Sequence, residues 1–214
     1  MGTGNMLYAN DCEHFIPAYG TDAGMSSASG TIWNAFRNAD KTMNLKEGFL
    51  SEYIPPQAMT CPSWVPKPTD YENVKGGTGY GYNVYGIGSM HCLGADIYYS
   101  GTGNKLSRVE APVRTVMFTD VVDSKSGTTE IKGYSWAYPS CKPVGGERAV
   151  VSGDYISRCE NTHFRHNNST SVTWADGHVS SEKMTDRCRN GLPFKNIGYF
   201  GPPDSSLYDC WSVL

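Results

Sequence analysis

The chain has 214 residues and a net charge of −3, with 18% charged residues against roughly 25% in an average soluble domain. No cluster of Lys and Arg stands out, which argues against a nucleic-acid partner. The apolar runs, such as Val116-Met117-Phe118, are too short to cross a bilayer. With 24 glycines and 14 tyrosines, the composition favours strands and turns over long helices, and the length suits one domain, 1–214.

The opening residues Gly4–Asp11, "GNMLYAND", read as the last turns of a helix. A helix that short is marginal in water, so they are expected to continue a longer helix. Leu45–Pro56 places apolar residues at 45, 49, 50, 53 and 54. That spacing predicts a short amphipathic helix ended by Pro55-Pro56, although Gly48 weakens it. Thr60–Pro68 is Pro-rich and is expected to be irregular or extended. Gly76–Gly88 lacks the G-x-G-x-x-G dinucleotide motif, and its alternating Tyr and Gly suggest a strand or loop.

Leu106–Val122 reads as two extended segments around Ala111-Pro112, the second with Val116, Phe118 and Asp120 on one side. The stretch from about 123 to 160 is the expected variable insertion, and 187–214, rich in Gly and Pro, the irregular tail. Asp176-Gly177 lies between alternating runs and predicts a hairpin with a two-residue type I′ turn. That closure sets Trp174 opposite Val179 and Ala175 opposite His178. Val172, Trp174 and Val179 then share an apolar face, and His178 lies on the solvated one.

Seven cysteines, Cys12, Cys61, Cys92, Cys141, Cys159, Cys188 and Cys210, are spread singly with no C-x-x-C pair. Such scatter suits disulfide partners, and hence an oxidising compartment outside the cytoplasm. The odd count leaves either a partner in sequence beyond this chain or one buried free thiol.

No G-x-S-x-G elbow, P-loop or H-E-x-x-H occurs, so no catalytic residue is assigned. Asp120, Asp123, Glu130 and Asp154 offer carboxylates, but nothing marks two as a catalytic pair. His163, His166, Asp176 and His178 are of the right types for a transition metal. Strand alternation separates them, and neither a metal nor any other cofactor is expected. Calcium on loop carboxylates is the one ion left open. His166 can reach Asp176 only if Asn167–Ser171 folds back, since ten extended residues span about 33 Å. Trp174 is expected in the core, and Trp64 and Trp136, in Pro- and Ser-rich contexts, at the surface.

His166, nine residues and then Asp176-Gly177 resembles the H-X9-DG signature of bacterial pilin-like proteins, and "RHNNSTSVTWADGHV" resembles the segment around it. "MLYANDCEHFIP", "GFLSEYI…TCPS", "YGYNVYG" and "EAPVRTVMFTD" are similar, in order, to other elements of that family, from about residue 6 to 182. The resemblance implies an α+β, pilin-like head like those of type IV pilins and type II secretion pseudopilins. An N-terminal helix remnant would pack on an antiparallel sheet with long loops and disulfides. His166, Trp174, Asp176 and Gly177 would then be structural. It also implies a non-catalytic subunit of the cell envelope, periplasmic or extracellular. Its anchor in the inner membrane would be an apolar helix preceding this chain, and its partners other pilin-like subunits or secretion-system components. The alternative is a secreted ligand- or carbohydrate-binding, or carbohydrate-active, domain on the same scaffold.

Overall fold

The computed structural model describes residues 1–18, 29–40, 42–65, 78–84, 86–88, 90–93, 96–99, 102–124, 131–137, 162–187 and 196–201. One helix, α1 (Gly2–Cys12), opens the chain and ends at Glu13, whose backbone is left-handed (φ 63°). The strands that follow are β1 (Gly30–Ile32), β2 (Ala35–Arg37), β3 (Met43–Asn44), β4 (Tyr80–Asn83), β5 (Met90–Leu93), β6 (Asp96–Tyr99) and β7 (Val116–Asp120). After these come β8 (Asp123–Ser124), β9 (Ile131–Lys132), β10 (Trp136–Ala137), β11 (Thr162–His163), β12 (Ser169–Trp174), β13 (Val179–Lys183), β14 (Asp186–Arg187) and β15 (Ile197–Tyr199). The architecture is mixed α+β. A five-stranded sheet, in the order β10-β4-β7-β12-β13, is antiparallel except for the parallel β10–β4 pair.

Every residue of β7 is buried, which explains its run of Val, Met and Phe at the centre of that sheet. Phe118 packs on Tyr82 and Trp33 with ring centroids 4.9 and 5.4 Å away. The polar tips of the rings are satisfied: Trp33 Nε1 donates to Ser135 O at 2.9 Å and Tyr82 Oη to Ile16 O at 2.7 Å. Helix α1 lies against the far end of the hairpin. A side chain at Gly2 would collide with Thr173, and Met6 lies next to Gly177. Tyr8 packs edge-on to Phe49 and Tyr53.

The expected helix over Leu45–Pro56 is absent; the segment is a series of turns, with a 3-10 turn at Pro56–Met59. Phe49 and Leu50 donate their N–H groups to Ile32 and Trp33 carbonyls instead of to their own segment. Gly48 allows this by lying directly on the Asn34–Ala35 backbone, where a side chain would clash. The two extended segments around Ala111-Pro112 reduce to one. Leu106–Arg108 and Pro112–Arg114 are 3-10 turns, and only Val116–Asp120 is a strand.

The hairpin forms, but one residue out of the expected register. Thr173 pairs with Val179, Trp174 N donates to His178 O at 3.0 Å, and Gly177 N donates to Trp174 O at 2.9 Å. The connection is therefore a three-residue loop, Ala175–Gly177, closed by Gly177 at φ 93°. A one-residue slip reverses faces: Val179 is 67% exposed, whereas Val172 and Trp174 stay in the core. The type I′ turn occurs elsewhere. Asn167 and Asn168 have φ of 52° and 61°, with His166 and Ser169 exchanging both backbone hydrogen bonds at 3.0 Å.

Trp174 is core, as expected, but Trp64 and Trp136 are buried too rather than exposed. Cys12 and Cys61 carry free thiols, and one buried free thiol is an outcome the odd cysteine count leaves open. Cys61 is fully buried against His166, and Cys12 is engaged with Tyr8 on the same helix. The side chains of Cys92, Cys141, Cys159, Cys188 and Cys210 lie outside the described residues, as do most of 123–160 and of the 187–214 tail.

Gly177→Val is expected to lower stability by about 1–3 kcal/mol, because a β-branched residue is strained at positive φ. Urea unfolding measures this, and an unchanged midpoint would refute the loop assignment.

Candidate functional site

Among the described residues, His, Cys and carboxylate side chains gather at one place, where the end of β7, the turn at residue 61 and the Asn167-Asn168 turn meet. Asp120 closes β7 opposite Tyr80 and is fully buried. A charge in that position must be met by donors. Ser171 N–H donates to Oδ2 at 2.8 Å, Thr170 Oγ1 to the same oxygen at 3.4 Å, and the Arg165 guanidinium lies 3.9 Å from Oδ1. His166 Nε2 lies 3.3 Å from each carboxylate oxygen and 3.7 Å from Cys61 Sγ.

The backbone holds each contributor in place. Cys61 N–H donates to Thr78 O at 2.9 Å, Val121 N–H to Gly79 O at 2.9 Å, and Arg165 Nη2 to Val121 O at 2.7 Å. Arg165 is nearly buried, with its guanidinium carbon 5.0 Å from the Trp64 ring centre. Its Nε donates to His163 Nδ1 at 3.0 Å. Tyr80 hydrogen-bonds Cys61; burial pushes its phenol up, and the adjacent thiol and Asp120 add to the rise.

The cluster does not have the geometry of a nucleophilic site. There a carboxylate orients one imidazole nitrogen while the other takes the proton of the nucleophile. Here thiol and carboxylate meet the same nitrogen, and Cys61 is fully buried. The arrangement can fasten three chain segments together, or it can close around a single small ion.

The four polar residues His163, His166, Asp176 and His178 do not assemble. Asp176 pairs with His178 at the loop end of the hairpin, where Asp176 Oδ1 accepts from His178 Nδ1 at 2.6 Å and from its backbone N–H at 3.1 Å. His178 is exposed, yet it stacks on Trp174 with ring centroids 5.6 Å apart, so it lies on the tryptophan's side of the hairpin. His166 meets Asp120 instead of Asp176. Of the four carboxylates considered, only Asp120 has a described side chain. From the sequence, Cys61 is one of seven disulfide candidates and Asp120 one of four carboxylates with no marked partner. The signal for Asp120 was a carboxylate ending a strand of apolar residues and one threonine; nothing in the sequence marked Cys61.

Asp120→Ala is expected to cost about 3–5 kcal/mol in urea unfolding under chelator, since it strands the buried Arg165 charge and the Ser171 N–H. At the hairpin loop, partial burial pushes the Asp176 carboxyl up. Hydrogen bonds from His178 outweigh this and hold it below its ordinary 3.8. A depressed carboxyl stabilises fully above that ordinary value and loses its contribution as pH falls through the lower, folded-state one. Asp176→Asn keeps the backbone acceptor without the charge. Its stability deficit at neutral pH is expected to shrink as pH falls below about 4 and to vanish only beneath the folded-state value, read as the two unfolding temperatures converging.

Compared with known proteins, the chain matches no protein-family model, no curated protein and no solved structure.

Proposed function

We propose that this chain is the globular head of a pilin-like or pseudopilin-like envelope protein, a non-catalytic structural subunit. One observation carries the reading: the five stretches that resemble that family form one packed unit. Tyr8 sits on Phe49 and Tyr53, and Tyr82 reaches back to Ile16. Tyr82 also stacks on Phe118 of the "EAPVRTVMFTD" segment. Asp120, at the end of that segment, receives His166 of the signature, which in turn contacts Cys61 of the "TCPS" element. Every residue of the signature has a scaffold role. His166 ties its turn to the Asp120 end of β7, Gly177 closes the hairpin loop and Asp176 braces it.

The helix supports the same reading. Gly2 and Met6 of α1 lie against Thr173 and Gly177, so the helix bears directly on the signature hairpin. On this proposal α1 continues an apolar helix encoded upstream of Met1, and that helix anchors the protein in the inner membrane and packs against other pilin-like subunits. No helix of the described residues is long and apolar enough to cross a membrane. The secreted ligand- or carbohydrate-binding alternative is weakened by the burial of Trp64 and Trp136, the two tryptophans that the sequence offered it at the surface.

The nucleotide sequence preceding the Met1 codon tests the proposal. It is expected to encode a short basic leader and about 20 apolar residues, and the full-length product is expected to sediment with the inner membrane. A conventional cleaved secretion signal and a freely soluble periplasmic product would overturn it in favour of the alternative.

A further inference from the structure

The spacing of the Cys61, Asp120 and His166 donors is unlike that of a hydrogen-bonded latch. A charge-assisted N–H···O bond closes to about 2.7–2.9 Å. Here Nε2 stands 3.3 Å from both carboxylate oxygens and favours neither. The thiol sulfur is 3.7 Å from that nitrogen, and the three donor atoms lie within 4.8 Å of one another. An ion about 2.3 Å from sulfur and about 2.0–2.2 Å from nitrogen and oxygen, at tetrahedral angles, sets donor separations of about 3.3–3.7 Å. Both separations from Nε2 already stand close to those values, and the sulfur and the carboxylate lie within 4.8 Å of each other.

We propose that Cys61, Asp120 and His166 bind a single divalent transition-metal ion of the zinc class, holding three distant parts of the chain together. The donor chemistry selects the ion. Thiolate, imidazole and carboxylate suit zinc or cobalt, whereas calcium and magnesium take oxygen donors only. The ion sits at the edge of the core: Cys61 and Asp120 are fully buried, and the His166 side chain is one-third exposed. A fourth position therefore opens on the solvent side, beside the histidine. Surrounding groups hold the ligands in place, with Tyr80 on the thiol and Ser171 and Thr170 on the carboxylate. The nearby Arg165 charge offsets part of the anionic donor set. The inference is independent of the pilin-like reading, and it departs from the sequence-based expectation of no metal.

The experiment is a cobalt titration of the whole chain, reduced and stripped with chelator. One equivalent is expected to give the visible bands of a tetrahedral site and a near-ultraviolet thiolate-to-cobalt band, both erased by zinc. Cys61→Ser is expected to abolish the thiolate band, His166→Gln to weaken cobalt binding at least tenfold, and Cys12→Ser to change nothing. A folded wild-type protein without the thiolate band at one equivalent would overturn the proposal, and so would a band that survives Cys61→Ser. Should the variants fail to fold, X-ray absorption of the zinc-loaded wild type decides. One sulfur at about 2.3 Å among nitrogen and oxygen donors is expected; a shell with no sulfur, or with two or more, rejects the site.

Discussion

A buried carboxylate organises this molecule. Asp120 comes at the end of a strand whose other members are apolar or small, at the middle of the main sheet, with no access to water. Removing a charge from solvent costs several kcal/mol unless donors replace the lost hydration. The fold supplies them from β12 and from the Arg165-His166 pair. Satisfying Asp120 therefore fixes where β12 starts, which way the Asn167-Asn168 turn points and how the residue-61 turn approaches. The aromatic cluster of Trp33, Tyr82 and Phe118 supplies bulk burial, which is not directional. The carboxylate supplies the direction that apolar packing lacks.

The hairpin shows how local rules can name the right element and miss its register. Asp176-Gly177 was legible as a turn from the two residues alone. Its register depended on which side chains the core would accept. With Trp174 opposite His178, the tryptophan stays inside, donates its indole N–H to Ser180 Oγ at 2.7 Å, and is covered by the imidazole. The two-residue closure would have set Val179 opposite Trp174, facing the core. The apolar period of β12 was readable, because Thr170, Val172 and Trp174 are all buried. That of β13 was not, because Val179 is its only apolar residue and it faces water.

Other failures share one cause: tertiary partners outbid local pattern. Leu45–Pro56 has helical periodicity, but the Phe49 and Leu50 N–H groups go to the Ile32 and Trp33 carbonyls, and Gly48 permits a backbone contact no helix could make. Trp64 and Trp136 sit in polar, Pro-containing sequence, yet Trp64 covers Arg165 and Trp136 packs beside Tyr134. The Cys61–Asp120–His166 grouping was the least legible feature. Its members are 46 to 105 residues apart, and only the pairing of β4, β7 and β12 brings them together. No spacing rule operates over such distances.

The outermost strands of the main sheet carry a consequence for assembly. Among the described strands, β10 at one margin is two residues long, and β13 at the other reads Val-Ser-Ser-Glu-Lys with no buried position. Charged, short or polar margins of this kind discourage strand addition by a neighbouring molecule. At these two margins, copies of the chain are discouraged from zipping into a continuous cross-molecular ribbon. An ordered array of such copies would have to be knit elsewhere than along the margins of this sheet.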